Sequence, residues 1–256
     1  MQVRVLGAHN LETDSAHHTC FLIDGKLAID AGSLVSTLGR DEQLRIEHVL
    51  LTHLHFDHTR DLPTLGLQTL DHPHTIDVHS LGVTLSTVNQ QLMNGEFYPD
   101  LTAHLNETPP AFRFNEINHS TPLSIGGFEV MAVPAEHPVP TIGYIVKSDN
   151  LCVAYTGDTG GPLLPFMQQE LTPDILYIDV TFPNDMKERA EVSKHLTPAM
   201  VRTRIIDAQN AGVTLPKIVP VHMSQEHQKQ ILIELAAVQT ELGIDLEPGY
   251  EGMLAE

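Results

Sequence analysis

Short apolar runs that end in turn-forming residues recur along most of this chain, and they predict a fold rich in short β-strands. The residues between two of these runs, Asp24-Gly25, are typical of a tight hairpin turn. The predicted strands are Val3–Leu6, Cys20–Ile23, Leu27–Asp30, His48–Leu51, Thr75–His79, Phe128–Val133, Ile142–Lys147, Leu151–Tyr155, Ile175–Asp179 and Lys217–Val221.

Apolar positions recur at helical spacing in three further segments, which predict the helices Gly82–Met93, Pro198–Ala211 and Gln225–Leu242. Thr197 is a favourable N-cap before the proline that starts the second helix, and Gly212 is a typical residue just after a helix end. Strands dominate the first half of the chain, whereas strands and helices alternate in the second. This order favours an α/β fold of the αββα type, in which helices cover two mixed β-sheets.

The segment from about residue 93 to residue 120 is polar, contains prolines and is weakly periodic. We expect it to be an inserted loop or lid within a single domain that spans residues 1–256. No run of about 18 apolar residues is present, so no membrane-spanning helix is predicted. The N-terminal residues Met1–Gly7 resemble a first strand more than a signal peptide. Cys20 and Cys152 lie in apolar runs, which favours buried free thiols in a cytoplasmic protein, with one disulfide as the alternative.

The charge balance limits the kind of partner that this protein can bind. The chain has 14 Lys and Arg residues against 33 Asp and Glu residues, for a formal net charge of −19. No cluster of basic residues is present, although nucleic-acid-binding proteins normally carry one. A long RNA or DNA substrate is therefore disfavoured. The charge balance does not count against a small anionic substrate that is held by metal ions.

The most informative sequence is the dense polar cluster His53–His58, which directly follows the mostly apolar run Ile46–Leu51. Histidine nitrogens and aspartate oxygens are ligands that zinc and similar divalent metals accept. Alternate positions of an extended strand end point the same way, so His53 and His55 can reach one metal ion. Asp57 and His58, after a turn, can reach a second ion beside the first. The sequence therefore predicts a two-metal site.

Further polar residues follow other predicted strands in the same manner, namely His137, Asp158, Asp179 and His222. Active sites of layered sheet proteins gather at strand ends, where loops hold functional side chains on a rigid scaffold. Asp158 could bridge two metal ions, because a carboxylate has two oxygens. Glu136 could compete with His137 as a ligand. Asp179 is either the partner of a metal-binding histidine or an ordinary carboxylate of a turn.

The motif His53-Leu54-His55-Phe56-Asp57-His58, followed in order by three later polar residues, resembles the metallo-β-lactamase superfamily from Met1 to about Met223. The resemblance implies one metal ion on His53, His55 and His137, a second on Asp57, His58 and His222, and Asp158 as the bridge between them. The implied cofactors are two divalent metal ions, with Zn²⁺ as the first expectation and Mn²⁺ or Fe²⁺ as alternatives.

Two further motifs narrow the resemblance to the phosphodiesterase branch of this superfamily, which includes ribonuclease Z and the class II cyclic-nucleotide phosphodiesterases. One is the additional histidine His195 in the stretch Ser193–Pro198, and the other is Gly143-Tyr144 shortly after His137. The His-Leu-Thr-Pro sequence is more similar to the class II enzymes, although Phe56 stands where those usually have leucine. Lactonase and glyoxalase II relatives generally lack the His195 motif.

These observations together predict a binuclear metal-dependent phosphodiesterase that hydrolyses a small cyclic nucleotide such as 3′,5′-cyclic AMP. We expect hydroxide, formed between the two cations, to attack phosphorus. His195 is expected to act as the general acid, because it is free of metal ligation. Asp57 is expected to orient the hydroxide in addition to its role as a ligand.

Several alternatives to this prediction remain open. The first is ribonuclease Z-like processing of tRNA 3′ ends, which the lack of a basic patch disfavours. A lactonase or thioesterase of the same fold would tolerate the loss of His195, and a redox protein would use two irons. A non-enzymatic metal-binding protein could sense a nucleotide without hydrolysing it. The sequence identifies neither the base of the substrate nor the choice between a monomer and a homodimer.

Overall fold

The computed structural model describes residues 1–70, 72, 74–104, 109–118, 121–148 and 150–256, which form two β-sheets covered by helices. In chain order the strands are β1 (Val3–Gly7), β2 (Cys20–Ile23), β3 (Leu27–Ile29), β4 (His48–Leu50), β5 (Ile76–Ser80), β6 (Phe112–Glu116), β7 (Leu123–Ile125), β8 (Phe128–Ala135), β9 (Thr141–Ser148), β10 (Leu151–Tyr155), β11 (Ile175–Asp179), β12 (Lys217–Val221) and β13 (Leu254–Ala255). The helices are α1 (Leu34–Thr37), α2 (Arg40–Gln43), α3 (Phe56–Thr59), α4 (Leu62–Thr69), α5 (Gly82–Leu92), α6 (Leu164–Met167), α7 (Lys187–Ser193), α8 (Pro198–Asn210) and α9 (Gln228–Leu242).

Both sheets are mixed, as the alternation of strands and helices predicts. The first sheet has the order β13-β1-β2-β3-β4-β5-β6, and the second has the order β12-β11-β10-β9-β8-β7. Strands β3 to β6 are parallel to one another, and so are β10 to β12, whereas the other neighbours are antiparallel. The β2–β3 hairpin turns at Asp24 and Gly25, whose φ angles are +48° and +70°. These are the positive values that such a tight turn requires.

Three hydrophobic cores fill the spaces between the layers of the fold. The central core joins the inner faces of the two sheets and contains the aromatic side chains Phe21, Tyr144, Tyr155 and Tyr177. A second core lies between the second sheet and helices α6, α8 and α9. A third lies between the first sheet and helices α1, α4 and α5. The predicted αββα sandwich is therefore confirmed.

The predicted strands and the three predicted helices agree closely with observed elements, whereas the sequence pattern does not predict the shorter helices α1 to α4, α6 and α7. Every strand expected from the apolar runs is present, and its ends differ from the expected ones by at most two residues. Thr197 caps helix α8 as expected, because its side chain accepts a hydrogen bond from the Met200 amide. Helix α9 begins later than predicted, since Gln225–His227 forms a 3₁₀ helix before it.

Part of the segment from residue 93 to residue 120 differs from the loop that the sequence predicts. Phe112–Glu116 forms strand β6, which pairs in parallel with β5 at the edge of the first sheet, so the loop prediction is wrong there. Phe112 is buried, but the following residues are more exposed, and the strand therefore carries little apolar signal. Residues 105–108 and 119–120 of the predicted insert lie outside the described residues.

Strand ends from both sheets meet at one edge of the sandwich. The residues after β4 of the first sheet include His53–His58, and the residues after β8, β10 and β12 of the second sheet include His137, Asp158 and His222. Because the loops are short and follow buried strands, the packing of the sheets fixes the positions of these side chains.

A glycine allows the two sheets to approach closely at this edge. Gly157 has a φ angle of +63°, and a Cβ atom on it would lie 3.1 Å from the Cβ of Thr52. On the other side, the Ile142 amide donates a hydrogen bond to the Thr52 carbonyl over 3.1 Å. Any larger residue at position 157 would therefore be strained at this φ angle and would crowd Thr52.

Two features of the described residues bear on the cysteine and membrane predictions. Cys20 and Cys152 are both buried and form no disulfide, so the prediction of buried free thiols is confirmed. Within the described part of the chain, no helix combines the length and the apolar character that a membrane crossing requires.

Candidate metal centre

One group of side chains at this edge has the composition of a metal site and consists of His53, His55, His137 and Asp158. We call it cluster one. The Nδ1 atom of His55 lies 3.0 Å from Nε2 of His53 and 3.1 Å from Nε2 of His137. The Asp158 Oδ2 atom lies 3.7 Å from Nε2 of His53 and 3.8 Å from Nε2 of His137. Three imidazole nitrogens and one carboxylate oxygen therefore face a common point.

A second group, cluster two, consists of Asp57, His58, Asp158 and His222. The Asp57 Oδ2 atom lies 3.5 Å from Nε2 of His58 and 3.3 Å from Nε2 of His222. The other oxygen of Asp158, Oδ1, lies 3.3 Å from Nε2 of His58 and 3.4 Å from Nε2 of His222. Asp158 thus directs one oxygen to each cluster.

The spacing of these atoms fits a cation in each cluster. A tetrahedral ion with bonds of about 2.0–2.1 Å separates neighbouring ligand atoms by roughly 3.3 Å. The four distances given for cluster two lie between 3.3 and 3.5 Å, and those for cluster one lie between 3.0 and 3.8 Å. Nε2 of His58 and Oδ1 of Asp158 are buried and make no hydrogen bond among the described residues. Buried polar atoms without partners are costly, and a bound cation would satisfy both.

Asp30 and Thr52 hold the ring nitrogens of His58 and His53 that point away from the clusters. Nδ1 of His58 donates to Oδ2 of Asp30 over 2.7 Å. The Thr52 hydroxyl donates to Asp30 and lies 3.0 Å from Nδ1 of His53, from which it accepts. Because Nδ1 carries the proton in both rings, the lone pair of Nε2 points into the cluster, which is the tautomer that a metal ion requires.

The other two histidines that face a cluster through Nε2 are held in the same way. Nδ1 of His222 lies 2.8 Å from the Thr181 hydroxyl, and Nδ1 of His137 lies 3.3 Å from the Lys194 carbonyl oxygen. Lys194 and His222 have φ angles of +57° and +62°, in a region that residues other than glycine rarely adopt. Such backbone strain is typical of functional sites.

The charges of the site favour a cation over an empty cavity. Burial alone would lower the pKa of His58, but the carboxylates of Asp158, Asp30 and Asp57 outweigh it and raise the pKa well above its usual range. The site therefore stabilises positive charge near His58. Burial lowers the pKa of His137 to about 4, so that its imidazole is neutral near pH 7 and can bind a metal ion.

His195 lies beside both clusters, and Asp179 holds its ring. Nδ1 of His195 donates to Oδ2 of Asp179 over 2.6 Å, and the Thr181 hydroxyl donates to the other oxygen. The His195 ring stacks on the His222 ring with a centroid distance of 5.3 Å. Burial would lower the pKa of His195, but the Asp179 carboxylate raises it to about 9. Nε2 of His195, which makes no hydrogen bond among the described residues, is the nitrogen left to face a substrate.

The structure brings together all the side chains that the sequence assigns to the site, namely His53, His55, Asp57, His58, His137, Asp158, His195 and His222. Asp179, which the sequence leaves open, is buried and is the partner of His195. Glu136 belongs to neither cluster and lines a neighbouring cleft instead. Sequence reasoning missed Asp30, Thr52 and Thr181. Asp30 directly follows the buried strand β3. A carboxylate at the end of a buried strand was the signal that indicated Asp179, and it could have indicated Asp30 as well.

Comparison with known families and relatives gives the same fold. A family model described as the β-lactamase superfamily domain matches residues 22–239. Ribonuclease Z from Thermococcus kodakarensis is 26% identical over 107 residues, which cover 41% of this chain and 31% of the relative. A metal-dependent hydrolase from Methanosphaerula palustris is 26% identical over 210 residues, which cover 80% of each protein. The chain spans between 31% and 49% of the length of the first curated relatives that it matches.

Two solved structures resemble the whole described fold. The metallo-β-lactamase fold protein YhfI from Bacillus subtilis superposes with a TM-score of 0.78 and is 17% identical, covering 99% of this chain and 98% of that one. Yeast PDE1, in its unliganded form, has the same TM-score of 0.78 and the same coverage at 15% identity. At these identities the likeness establishes the metallo-β-lactamase fold.

Proposed function

This chain belongs to the β-lactamase superfamily, and from that premise we propose that it is a hydrolase that uses two divalent metal ions to cleave a small phosphodiester. The leading candidate substrate is a 3′,5′-cyclic nucleotide. The observation that supports this most strongly is the position of Asp158, whose two oxygens each face a separate cluster of imidazole and carboxylate ligands. A bridging carboxylate between two closely spaced cations is the arrangement that two-metal phosphoester chemistry uses.

The proposed ligands follow from the two clusters. One ion would be held by His53, His55 and His137, the other by Asp57, His58 and His222, and Asp158 would bridge them. Zn²⁺ is the proposed metal, because imidazole-rich sites with a carboxylate suit it, and Mn²⁺ and Fe²⁺ accept the same donors. When bound, the two ions would activate water and offset the charge of the phosphoryl oxygens.

The protein side chains have separate tasks in this proposal. Asp57, in addition to its role as a ligand, accepts a hydrogen bond from the attacking water and orients it. His195 donates the proton of Nε2 to the departing sugar oxygen, because its Nδ1 is already held by Asp179. The raised pKa of His195, about 9, keeps the proton on the ring near neutral pH.

The overall charge supports a small substrate over a long one. The chain carries 33 acidic residues against 14 basic ones, so a polyanion is repelled at long range, whereas a single phosphodiester is attracted by the two cations. The second candidate is cleavage of a tRNA precursor, which the similarity to the ribonuclease Z relatives favours. The acidic composition of this chain counts against it.

The test is hydrolysis by protein loaded with Zn²⁺ or Mn²⁺, with cyclic AMP, bis(p-nitrophenyl) phosphate and a tRNA precursor compared as substrates. We expect cleavage of the two small diesters and little cleavage of the tRNA. His195→Ala should retain both metal ions and lose about 100-fold or more in kcat on cyclic AMP, because the leaving alkoxide is no longer protonated.

The matched control is His104→Ala, since His104 is exposed and belongs to neither cluster. It should leave the metal content and kcat unchanged. Fully metallated protein that cleaves none of the diesters would refute the proposal, and a lactone or a thioester would then be the next substrate to test. Preferential cleavage of the tRNA precursor would establish the second candidate instead.

A further inference from the structure

A cleft of about 570 Å³ opens beside cluster one. It shares His137 with that cluster, and Lys194, the residue before His195, also lines it. Its volume falls in the range of small-molecule sites, roughly 300–1,000 Å³. A substrate whose phosphorus lies at the two clusters would therefore extend its organic group into this cleft.

One part of the cleft is apolar and stiff. Leu81, Val139 and the two prolines on either side of Val139 line it. Proline restricts the backbone, and the Thr141 hydroxyl donates to the Val139 carbonyl over 2.9 Å, which further fixes this turn. A preformed apolar surface binds a flat ring without a large loss of conformational entropy.

The cleft also contains one carboxylate, that of the exposed residue Glu136, whose backbone is held in place. The Glu136 amide donates to the Thr159 hydroxyl over 3.2 Å, and the Glu136 carbonyl accepts from the Gly160 amide over 3.0 Å. A Cβ atom on Gly161 would lie 2.9 Å from Cβ of Glu136, so the stem of the side chain lies against this glycine. Among the described residues, no hydrogen bond or ion pair engages the carboxylate.

We propose that this cleft binds the nucleoside part of the substrate, with the base on the apolar surface at Val139 and with Glu136 as the acceptor for a hydroxyl or amino group. The proposal rests on the proposed phosphodiesterase function and names the substrate class more closely. A carboxylate accepts hydrogen bonds from uncharged donors and repels a second phosphate. The Glu136 carboxylate therefore favours a hydroxyl or amino group over a second phosphate at its own position in the cleft, which Lys194 also lines.

The test compares Glu136→Ala and Glu136→Gln on two substrates. Cyclic AMP offers hydroxyl and amino donors, whereas bis(p-nitrophenyl) phosphate offers none. For Glu136→Ala we expect kcat/KM on cyclic AMP to fall by about 10- to 100-fold, mainly through KM, because a hydrogen bond to a charged group is lost. Glu136→Gln should lose less, since it keeps an acceptor oxygen. The aryl diester should change by less than about two-fold in both variants, because no hydrogen bond to it is lost.

A binding measurement separates this proposal from the proposed function. Adenosine, which has no phosphate, should bind to the metal-loaded wild type in calorimetry and about 10-fold or more weakly to Glu136→Ala. Glu129→Ala is the matched control, because Glu129 is an exposed carboxylate on strand β8, which ends just before Glu136. If adenosine binds in this way but no diester is cleaved, the subsite stands and the phosphodiesterase function fails. If diesters are cleaved and Glu136→Ala affects cyclic AMP no more than the aryl diester, the subsite proposal is overturned.

Discussion

Replacing Asp30 with asparagine should weaken one metal site and leave the fold in place. Asp30 is fully buried and accepts hydrogen bonds from Nδ1 of His58, over 2.7 Å, and from the amide and hydroxyl of Thr52. Its φ angle is +60°, a region that asparagine tolerates well. The substitution therefore removes the charge behind His58 without forcing the backbone to move.

The expected loss can be derived from the role of this partner. An acceptor behind a metal-binding histidine contributes about 10- to 100-fold to metal affinity, or roughly 1.4–2.7 kcal/mol. Cluster two, which contains His58, should lose this amount, whereas the effect on cluster one, through Thr52 and His53, should be smaller. Competition titration of Zn²⁺ against a chromophoric chelator, together with the metal content per chain, measures the Zn²⁺ affinities of both clusters.

A matched variant makes the result specific. Asp61→Asn also replaces a buried carboxylate, but Asp61 accepts from the Val35 amide and pairs with Arg60, outside both clusters. It should lower thermal stability and leave both metal affinities unchanged. Two unaltered Zn²⁺ affinities in Asp30→Asn would refute the reasoning that Asp30 orients His58.

Three further predictions follow from single residues. Gly157→Ala should lower the free energy of unfolding by about 1–3 kcal/mol in urea titrations, because its φ angle of +63° strains a side chain. Thr181→Val should weaken Zn²⁺ binding by about 10-fold in the chelator assay, because Nδ1 of His222 loses its acceptor. Burial would raise the pKa of Glu251, but the hydrogen bonds from the His9 ring and the His17 amide, together with the charge of His9, outweigh it and lower the pKa from 4.5 to about 2. Glu251 should therefore stabilise the fold above pH 4.5 and lose that effect as pH falls towards 2, and in urea titrations Glu251→Gln should differ most from wild type at pH 6 and least near pH 2.

The candidate metal ligands could be identified from the sequence because four of them stand within six residues, His53 to His58, after one buried strand. The pairing of these ligands with the residues that orient them could not be predicted, because these contacts join distant parts of the chain. Asp30 and His58 are 28 residues apart, and Thr181 and His222 are 41 residues apart. No local pattern of apolar and polar residues carries such pairings.

The strands that the sequence missed share a physical property, namely their position at the edges of the sheets. Strands β6, β7 and β13 each have a neighbour on one side only, and their outer residues are exposed. A strand with few buried residues has little apolar periodicity, so its sequence looks like a loop. Burial also explains why strands β10 to β12 could be predicted almost residue by residue. Strand β12 lies at an edge too, but four of its five residues are buried.

The two clusters of the candidate metal centre draw their side chains from both sheets of the sandwich. Each cluster takes two side chains from the loop after β4 in the first sheet and two from loops of the second sheet. A cation in either cluster would therefore cross-link the sheets and resist their separation, much as a disulfide joins two segments. Because a separated pair of sheets cannot bind the ion, each tenfold increase of free metal above its dissociation constant adds about 1.4 kcal/mol to the free energy of unfolding. The resistance of this protein to heat and to proteolysis should thus follow the metal supply of its surroundings.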